Sequence, residues 1–366
     1  MTPHAPAVPP PSAAEQRQAE SQARSGPNPD RGGRLFVLDG WRGISILLVL
    51  ATHLLPVGPK AWHLNLMTGA MGMSLFFTLS GFLITQQLHL RRNVTGFFIR
   101  RLFRIVPLAW AYSVLVILLL GKDLRTLVSH LLFAINYDQS AITEITTHFW
   151  SLCVEVHFYC AIGILMAITR FRGFVLLPVL WLILFLVRTI WAPTGTIETH
   201  FRVDEILSGT CLALVYLGYL GPRAQLILSR LPFPLLLVAL AIACHPDTGT
   251  VNGFRGTLAS LLVGHTLFAT GEQRYRWLGS RVLRYIAEIS YALYVIHPLT
   301  RYGWLGSGPT MVKYAKRLIT FTLSFGLAHL STFKFEKPTT DFGKRLASRL
   351  EKRSARPSLD KAITPG

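Results

Sequence analysis

The sequence predicts an all-α, polytopic membrane protein of about ten transmembrane helices with both termini cytoplasmic. Mean hydropathy is +0.41; 51% of the 366 residues are hydrophobic and only 15% are charged. Apolar runs that approach the roughly 30 Å needed to cross hydrocarbon recur along the chain. Lys and Arg fall almost wholly in alternate connections between those runs, as the positive-inside rule requires.

Residues 1–35 are rich in Pro, Ala, Ser, Gln and Arg and hold no apolar run. They read as a disordered basic cytoplasmic tail, without the apolar segment of a cleaved signal peptide. Apolar runs follow near 38–56, 71–88, 103–120, 149–169, 174–192, 203–220, 231–245, 253–270, 285–300 and 315–333. Basic residues cluster in the tail, from Arg91 to Arg104, at Arg170 and Arg172, at Arg223 and Arg230, from Arg274 to Arg284, and after Lys334. The seventh run is short and carries Pro232 and Pro234, so the seventh and eighth are the weakest pair. Omitting both leaves every other orientation unchanged. Leu127 to Ile135 is too short to cross and is expected on the outer side as an interfacial helix. The transmembrane domain then covers 36–336 and a basic cytoplasmic tail 337–366, with no soluble second domain, in a multi-pass protein of the cell (inner) membrane.

A net charge of +19 raises nucleic acid as a partner. The cations sit between apolar runs rather than along one soluble face, so they fix topology and meet an anionic ligand instead. Cys153, Cys160, Cys211 and Cys244 fall within predicted spans and lack CxxC spacing, which argues against structural disulfides and against a metal site. No Walker loop occurs, and the Asn93-Val-Thr95 triplet lies on the cytoplasmic side, where its glycosylation spacing is a chance match.

Within the first run, Leu38 to His53 places Arg42 and His53 eleven residues apart in an apolar helix. Eleven steps of about 100° make about three turns, so both side chains lie on one face, roughly 16 Å apart along the axis. Ionisable residues at such depth mark function. Arg101 and Arg104 enter the third run from the same cytoplasmic side as Arg42. The fourth run travels inward from Phe149, which sets Glu155 at roughly the depth of His53, and His297 near the outer end of the ninth run joins that layer. A cationic cytoplasmic layer and a His/Glu outer layer suit a ligand with phosphates at one end and chemistry at the other. Plainer readings stand beside these. Arg100 fits an arginine snorkelling to lipid headgroups, and the Arg101/Arg104 pair suits lipid phosphate as well as a ligand. His53 has a packing alternative, and capping serves for His297 before Pro298. Glu155 is stronger, because an unpaired carboxylate in hydrocarbon costs several kcal/mol and requires a cavity or a partner.

Seven segments in order resemble the membrane acyltransferase-3 family. LDGWRGISILLVLATH is similar to its opening motif, a basic residue and then a catalytic histidine, here Arg42 and His53. GMSLFFTLSGFLIT over 72–85 resembles the second-helix signature, and FFIRRLFRIVPLAW over 97–110 the third-helix RxxR entry, on Arg101 and Arg104. FWSLCVEVHFY over 149–159 resembles a motif that normally ends in a Glu-Glu-Gln-Phe-Tyr run; Glu155 is kept, while Val156 and His157 depart from it. RVDEILSGTCLA from Arg202, SYALYVIHPL from Ser290 and FEKPTTDFGKRL from Phe335 complete the set.

The resemblance implies an acyl-CoA donor, with acetyl-CoA the expected one, and a hydroxyl acceptor on a carbohydrate or glycolipid. Arg42, Arg101 and Arg104 would hold the donor phosphates. His53 would act as general base, with Glu155 orienting its imidazole or stabilising imidazolium. An acyl-histidine intermediate is the competing chemistry. Asp39, Trp150, His157 and His297 are accessory candidates, and His157 competes for the role of Glu155. Some members carry a long carboxyl-terminal fusion; here the chain ends about 30 residues past its last span, which favours a smaller or lipid-linked acceptor. A multi-span transporter or lipid-handling protein is the alternative, weakened by the lack of an internal repeat between 38–192 and 203–333. A silent membrane scaffold is a third reading.

Overall fold

The computed structural model describes residues 35–192, 195–269 and 273–355. The basic amino-terminal tail expected over 1–35 lies almost wholly outside them. Among the described residues every regular element is helical. In chain order the helices are α1 (Phe36–Leu54), α2 (Leu64–Arg91), α3 (Val94–Leu119), α4 (Leu124–Leu131), α5 (Phe149–Ile168), α6 (Leu177–Trp191), α7 (Val203–Tyr216), α8 (Gly221–Arg230), α9 (Phe233–Cys244), α10 (Arg255–Phe268), α11 (Arg281–Ile296), α12 (Thr310–Leu330) and α13 (Lys337–Ala355).

Each of the ten apolar runs holds one of these helices. Four of them, α1, α2, α3 and α5, together with Gly173–Trp191, are long and apolar enough to cross a membrane singly. A sixth crossing is counted if α7 and α8, bent 117° apart, form one broken span. The rest fall short for plain reasons: α9 has 12 residues, about 18 Å of rise, and α12 carries Lys313, Lys316 and Arg317 near its start. The prolines of the seventh run do not break it, because Pro232 caps α9 and Pro234 sits in its first turn, where a missing N–H costs nothing. The short run after the third span forms α4, capped by Asp123, which accepts from the Thr126 amide at 2.9 Å. Asn93, the glycosylation-like residue, caps α3 by accepting from the Gly96 amide at 2.8 Å.

Close approach of backbones sets the centre of the bundle. A Cβ on Gly81 of α2 would stand 1.9 Å from the Ile206 carbonyl oxygen, and one on Gly209 of α7 would stand 1.9 Å from that of Thr78. Small residues thus let α2 and α7 touch along their length, the way helices pack where hydrocarbon supplies no hydrophobic drive. At this crossing sits a buried charge network. Glu205 accepts from Arg188 Nη1 at 2.8 Å, Arg255 Nε at 3.0 Å and Ser74 Oγ at 2.6 Å, and pairs with Arg202 at 3.3 Å. Arg188 also reaches Asp204 at 3.1 Å. The network ties α2, α6, α7 and α10 into one block.

After α12 a π-helical turn, Ser331–Glu336, leads into α13. The basic segment expected as a tail from 337 is therefore helical as far as Ala355, and it packs along α3. Phe342 meets Phe103 with ring centroids 5.3 Å apart, and Glu351 pairs with Arg100 at 2.8 Å. That pairing corrects the reading of Arg100 as a residue snorkelling to lipid.

Replacing Glu205 with Ala removes the carboxylate that Arg188, Arg202 and Arg255 share and leaves Asp204 to compensate the buried guanidiniums of the network. We expect a loss of about 3–5 kcal/mol, read as a lower unfolding midpoint in detergent, whereas an unchanged midpoint would show the network to be dispensable.

Candidate active site

α1 carries the site along one face. Arg42, Ser45, Val49 and His53 recur at spacings of three to four residues, so they stack along a single stripe. At the Arg42 end a small cavity of about 30 Å³ is lined by Arg42, Ser80, Arg101, Arg104, Glu155 and Tyr159. Arg101 donates to Gln87 and lies over the rings of Phe97 and Tyr159, 5.9 and 5.5 Å from their centroids. Its Nε is buried and finds no partner among the described residues. Glu155 accepts from Ser80 Oγ at 2.7 Å and from the Tyr159 hydroxyl. Asp39, one turn before Arg42, adds its negative charge to that end. Three guanidiniums and one carboxylate line the cavity, so its wall is net positive and suited to an anion.

Next along the stripe is a void of about 10 Å³ lined by Ser45, Val49, Met73, Phe76, Ser290 and Tyr294. Phe76 and Ser290 line both voids, so the two adjoin. Beyond Tyr294 lies a histidine layer. The His53 ring is 5.2 Å from that of His297, which is 5.4 Å from that of His148, which is 5.2 Å from Tyr294. Backbone carbonyls determine two tautomers here, because a carbonyl can only accept. His297 Nδ1 donates to Tyr294 O at 2.8 Å and Leu293 O at 3.1 Å, and His148 Nε2 donates to Val295 O at 3.2 Å. His297 Nε2 and His148 Nδ1 are left as buried acceptors without partners among the described residues. Despite the three rings, no group of His, Cys, Asp and Glu with metal-holding geometry occurs among those residues.

The end of α1 is held from outside the helix. Asn65 donates to the carbonyls of Thr52 and Leu55 at 3.0 and 2.8 Å, and Arg301 Nη1 donates to the His53 carbonyl at 3.2 Å. A cation there also complements the carboxyl end of the helix dipole. His53 itself borders a cavity of about 370 Å³ whose other lining includes Lys60, His63, Tyr314 and Arg317.

Two expectations change. Glu155 does not share the His53 layer: it lies with Arg42, Arg101 and Arg104. The residue of α5 that reaches the histidines is its amino-terminal cap, His148. Seven residues separate the two, roughly 10 Å of rise, so the estimate of depth erred by two turns. His157 points away from Glu155, as a two-residue step of about 200° dictates, and its Nδ1 meets Thr199 Oγ1 at 2.7 Å. Trp150 packs edge-on against Phe77 and under the Arg202 guanidinium, 4.8 Å from its ring, which joins the site to the buried charge network. Sequence reasoning missed His148, Tyr294 and Arg301. His148 stands one residue before the aromatic motif at Phe149, Tyr294 is three before His297 and Arg301 four after it, helical spacings that mark them as neighbours.

A family model described as an acyltransferase domain matches residues 36–330, which include every residue placed along this stripe. The chain belongs to the membrane acyltransferase-3 family. Relatives in the family include a protein of Staphylococcus aureus (strain COL) provisionally named O-acetyltransferase. It is 28% identical over 310 residues, 71% of this chain and 49% of the relative. A Bacillus subtilis (strain 168) protein provisionally named peptidoglycan O-acetyltransferase is 25% identical over 373 residues, 85% of this chain and 56% of its own length. The chain thus spans about half the length of the curated relatives it matches. No solved structure matches.

In this family member, Glu155 is the compensating charge of the arginine cavity. Glu155→Ala should lower stability by about 3–5 kcal/mol, and Glu155→Gln, which keeps acceptors for Ser80 and Tyr159, should cost less; thermal unfolding of the two variants would reveal an equal effect if charge compensation were not the reason.

Proposed function

We propose that this chain is an integral membrane O-acetyltransferase of about ten spans with cytoplasmic termini, seated in the inner membrane. It moves an acetyl group from cytosolic acetyl-CoA to a hydroxyl of a sugar or glycolipid at the outer face. The observation that carries this reading is the single face of α1, with a cationic cavity at Arg42 and an unpaired-acceptor histidine layer at His53, in a chain that belongs to an acyltransferase family.

Arg42, Arg101 and Arg104 bind the nucleotide phosphates, and the pantetheine arm runs past Ser45 and Val49 toward His53. The void between holds one water at most, so Met73 and Phe76 must move to admit the arm. His53 takes the proton of the acceptor hydroxyl as its oxygen attacks the thioester carbonyl. The C–S bond then breaks, and imidazolium returns the proton to the departing thiolate. The orienting role first given to Glu155 falls to His297, whose buried Nε2 can accept an N–H from His53 and leave the other imidazole nitrogen as the base.

His53→Ala should lower acetyl transfer by about 10²–10⁴-fold while the Kd for acetyl-CoA stays within about twofold, measured as thiol release and equilibrium binding; turnover retained in that variant contradicts the assignment. His297→Phe should lower kcat by about tenfold without changing that Kd, and His297→Gln, which keeps an acceptor within reach, should recover part of it.

A further inference from the structure

The cavity beside His53 is built for more than a neutral hydroxyl. Charge bias along the chain places cations at the opposite end of the bundle, yet Arg301, Lys313, Lys316 and Arg317 all fall in the connection that follows His297 and in the start of α12. In the ten-span topology proposed above they stand against the positive-inside bias, which leaves them to another role. Lys316 is used internally, donating to the Trp304 and Ser307 carbonyls and lying 4.0 Å over the Trp304 ring. Arg301 is tied to the His53 carbonyl. Arg317 is different: its Nε and Nη1 are buried and without a hydrogen-bond partner among the described residues, and its side chain lines the His53 cavity together with Lys60. Burial, and then the neighbouring Arg317 guanidinium, push the Arg301 guanidinium below its ordinary value, while Glu144 opposes the shift. A guanidinium with unsatisfied buried donors, sharing a cavity wall with Lys60, is what an anion relieves.

We propose that the cavity of about 370 Å³ beside His53 binds an anionic saccharide, with Arg317 and Lys60 gripping its phosphate or carboxylate and so delivering its hydroxyl to His53. The delivery step rests on the transfer reading above; the anion site does not. A cavity of this size matches the lower range for small-molecule sites and holds one sugar and its charged group. His63 contributes at the rim, where Asp247 already meets its Nδ1 at 3.2 Å, so the anion is assigned to Arg317 and Lys60.

The test is equilibrium binding to the full chain in nanodiscs of zwitterionic lipid. N-acetylglucosamine 1-phosphate, glucuronic acid and uncharged N-acetylglucosamine are compared on wild type, Arg317→Gln and Lys60→Gln, with the thermal unfolding midpoint as the control for folding. The expected result is that at least one anionic sugar binds about tenfold or more tightly than the neutral one, and that Arg317→Gln removes the preference. Preference for the first probe alone assigns phosphate, and for the second alone carboxylate. Equal binding of all three sugars, no binding of any, or a preference that survives both substitutions overturns the proposal. Because binding is read without turnover, an anion site in a protein that transfers nothing would uphold this inference while removing the transferase reading.

Discussion

A charge buried in a bilayer has no water to fall back on, and that constraint shapes this molecule more than any single apolar contact. Glu205 is wholly buried and is satisfied by groups from four segments, among them Arg188 on α6, Arg255 on α10 and Ser74 on α2. None of these segments can shift without stranding an ion, so α2, α6, α7 and α10 behave as one unit. The glycine contacts at Gly81 and Gly209 bring α2 and α7 close enough for that network to close. Arg202 carries the same block to Trp150 on α5, and α5 in turn supplies Glu155 to the arginine cavity and His148 to the histidine layer.

Against that fixed block, α1 supplies the functional axis. Its face passes from Arg42 to His53 through Ser45 and Val49, and each end is braced by other elements: the arginines of α3 at one end, Asn65 and Arg301 at the other. The proposed function uses that separation along one helix face, with the donor's phosphates placed where the cations gather and its thioester at the histidine layer. Backbone carbonyls pin the tautomers of His148 and His297 and leave their remaining nitrogens as acceptors. α13 adds a second brace by packing on α3 beside Arg100, next to the residues that line the arginine cavity.

Much of this was legible in the chain because membrane insertion writes itself as composition. Every apolar run corresponds to a helix, and the eleven-residue spacing of Arg42 and His53 sets both on one face by helix geometry alone. Arg101 and Arg104, three residues apart, open into the same cavity as Arg42. What periodicity cannot supply is depth across different helices. Counting from an assumed boundary sets Glu155 level with His53, and an error of two turns is enough to move it from one end of the site to the other. Partners distant in sequence were equally hidden: nothing in Arg255 or Arg188 announces that both meet Glu205, and α13 reads as a solvated basic tail until Phe342 and Glu351 are seen against α3. Val156 and His157, the departures from the family motif, face elsewhere than Glu155 as helix geometry requires, and His157 is spent on Thr199.

The proposed function requires that the cavity at Arg42, Arg101 and Arg104 hold the phosphates of the acyl donor. Equilibrium binding of acetyl-CoA to the protein in lipid nanodiscs, wild type against an Arg101→Ala, Arg104→Ala double variant, tests it most directly, with free phosphate lipid as competitor. Saturable binding that is resisted by the lipid and lost in the folded double variant is the predicted result. Equal binding by both proteins, or no binding of acetyl-CoA by either, would contradict it.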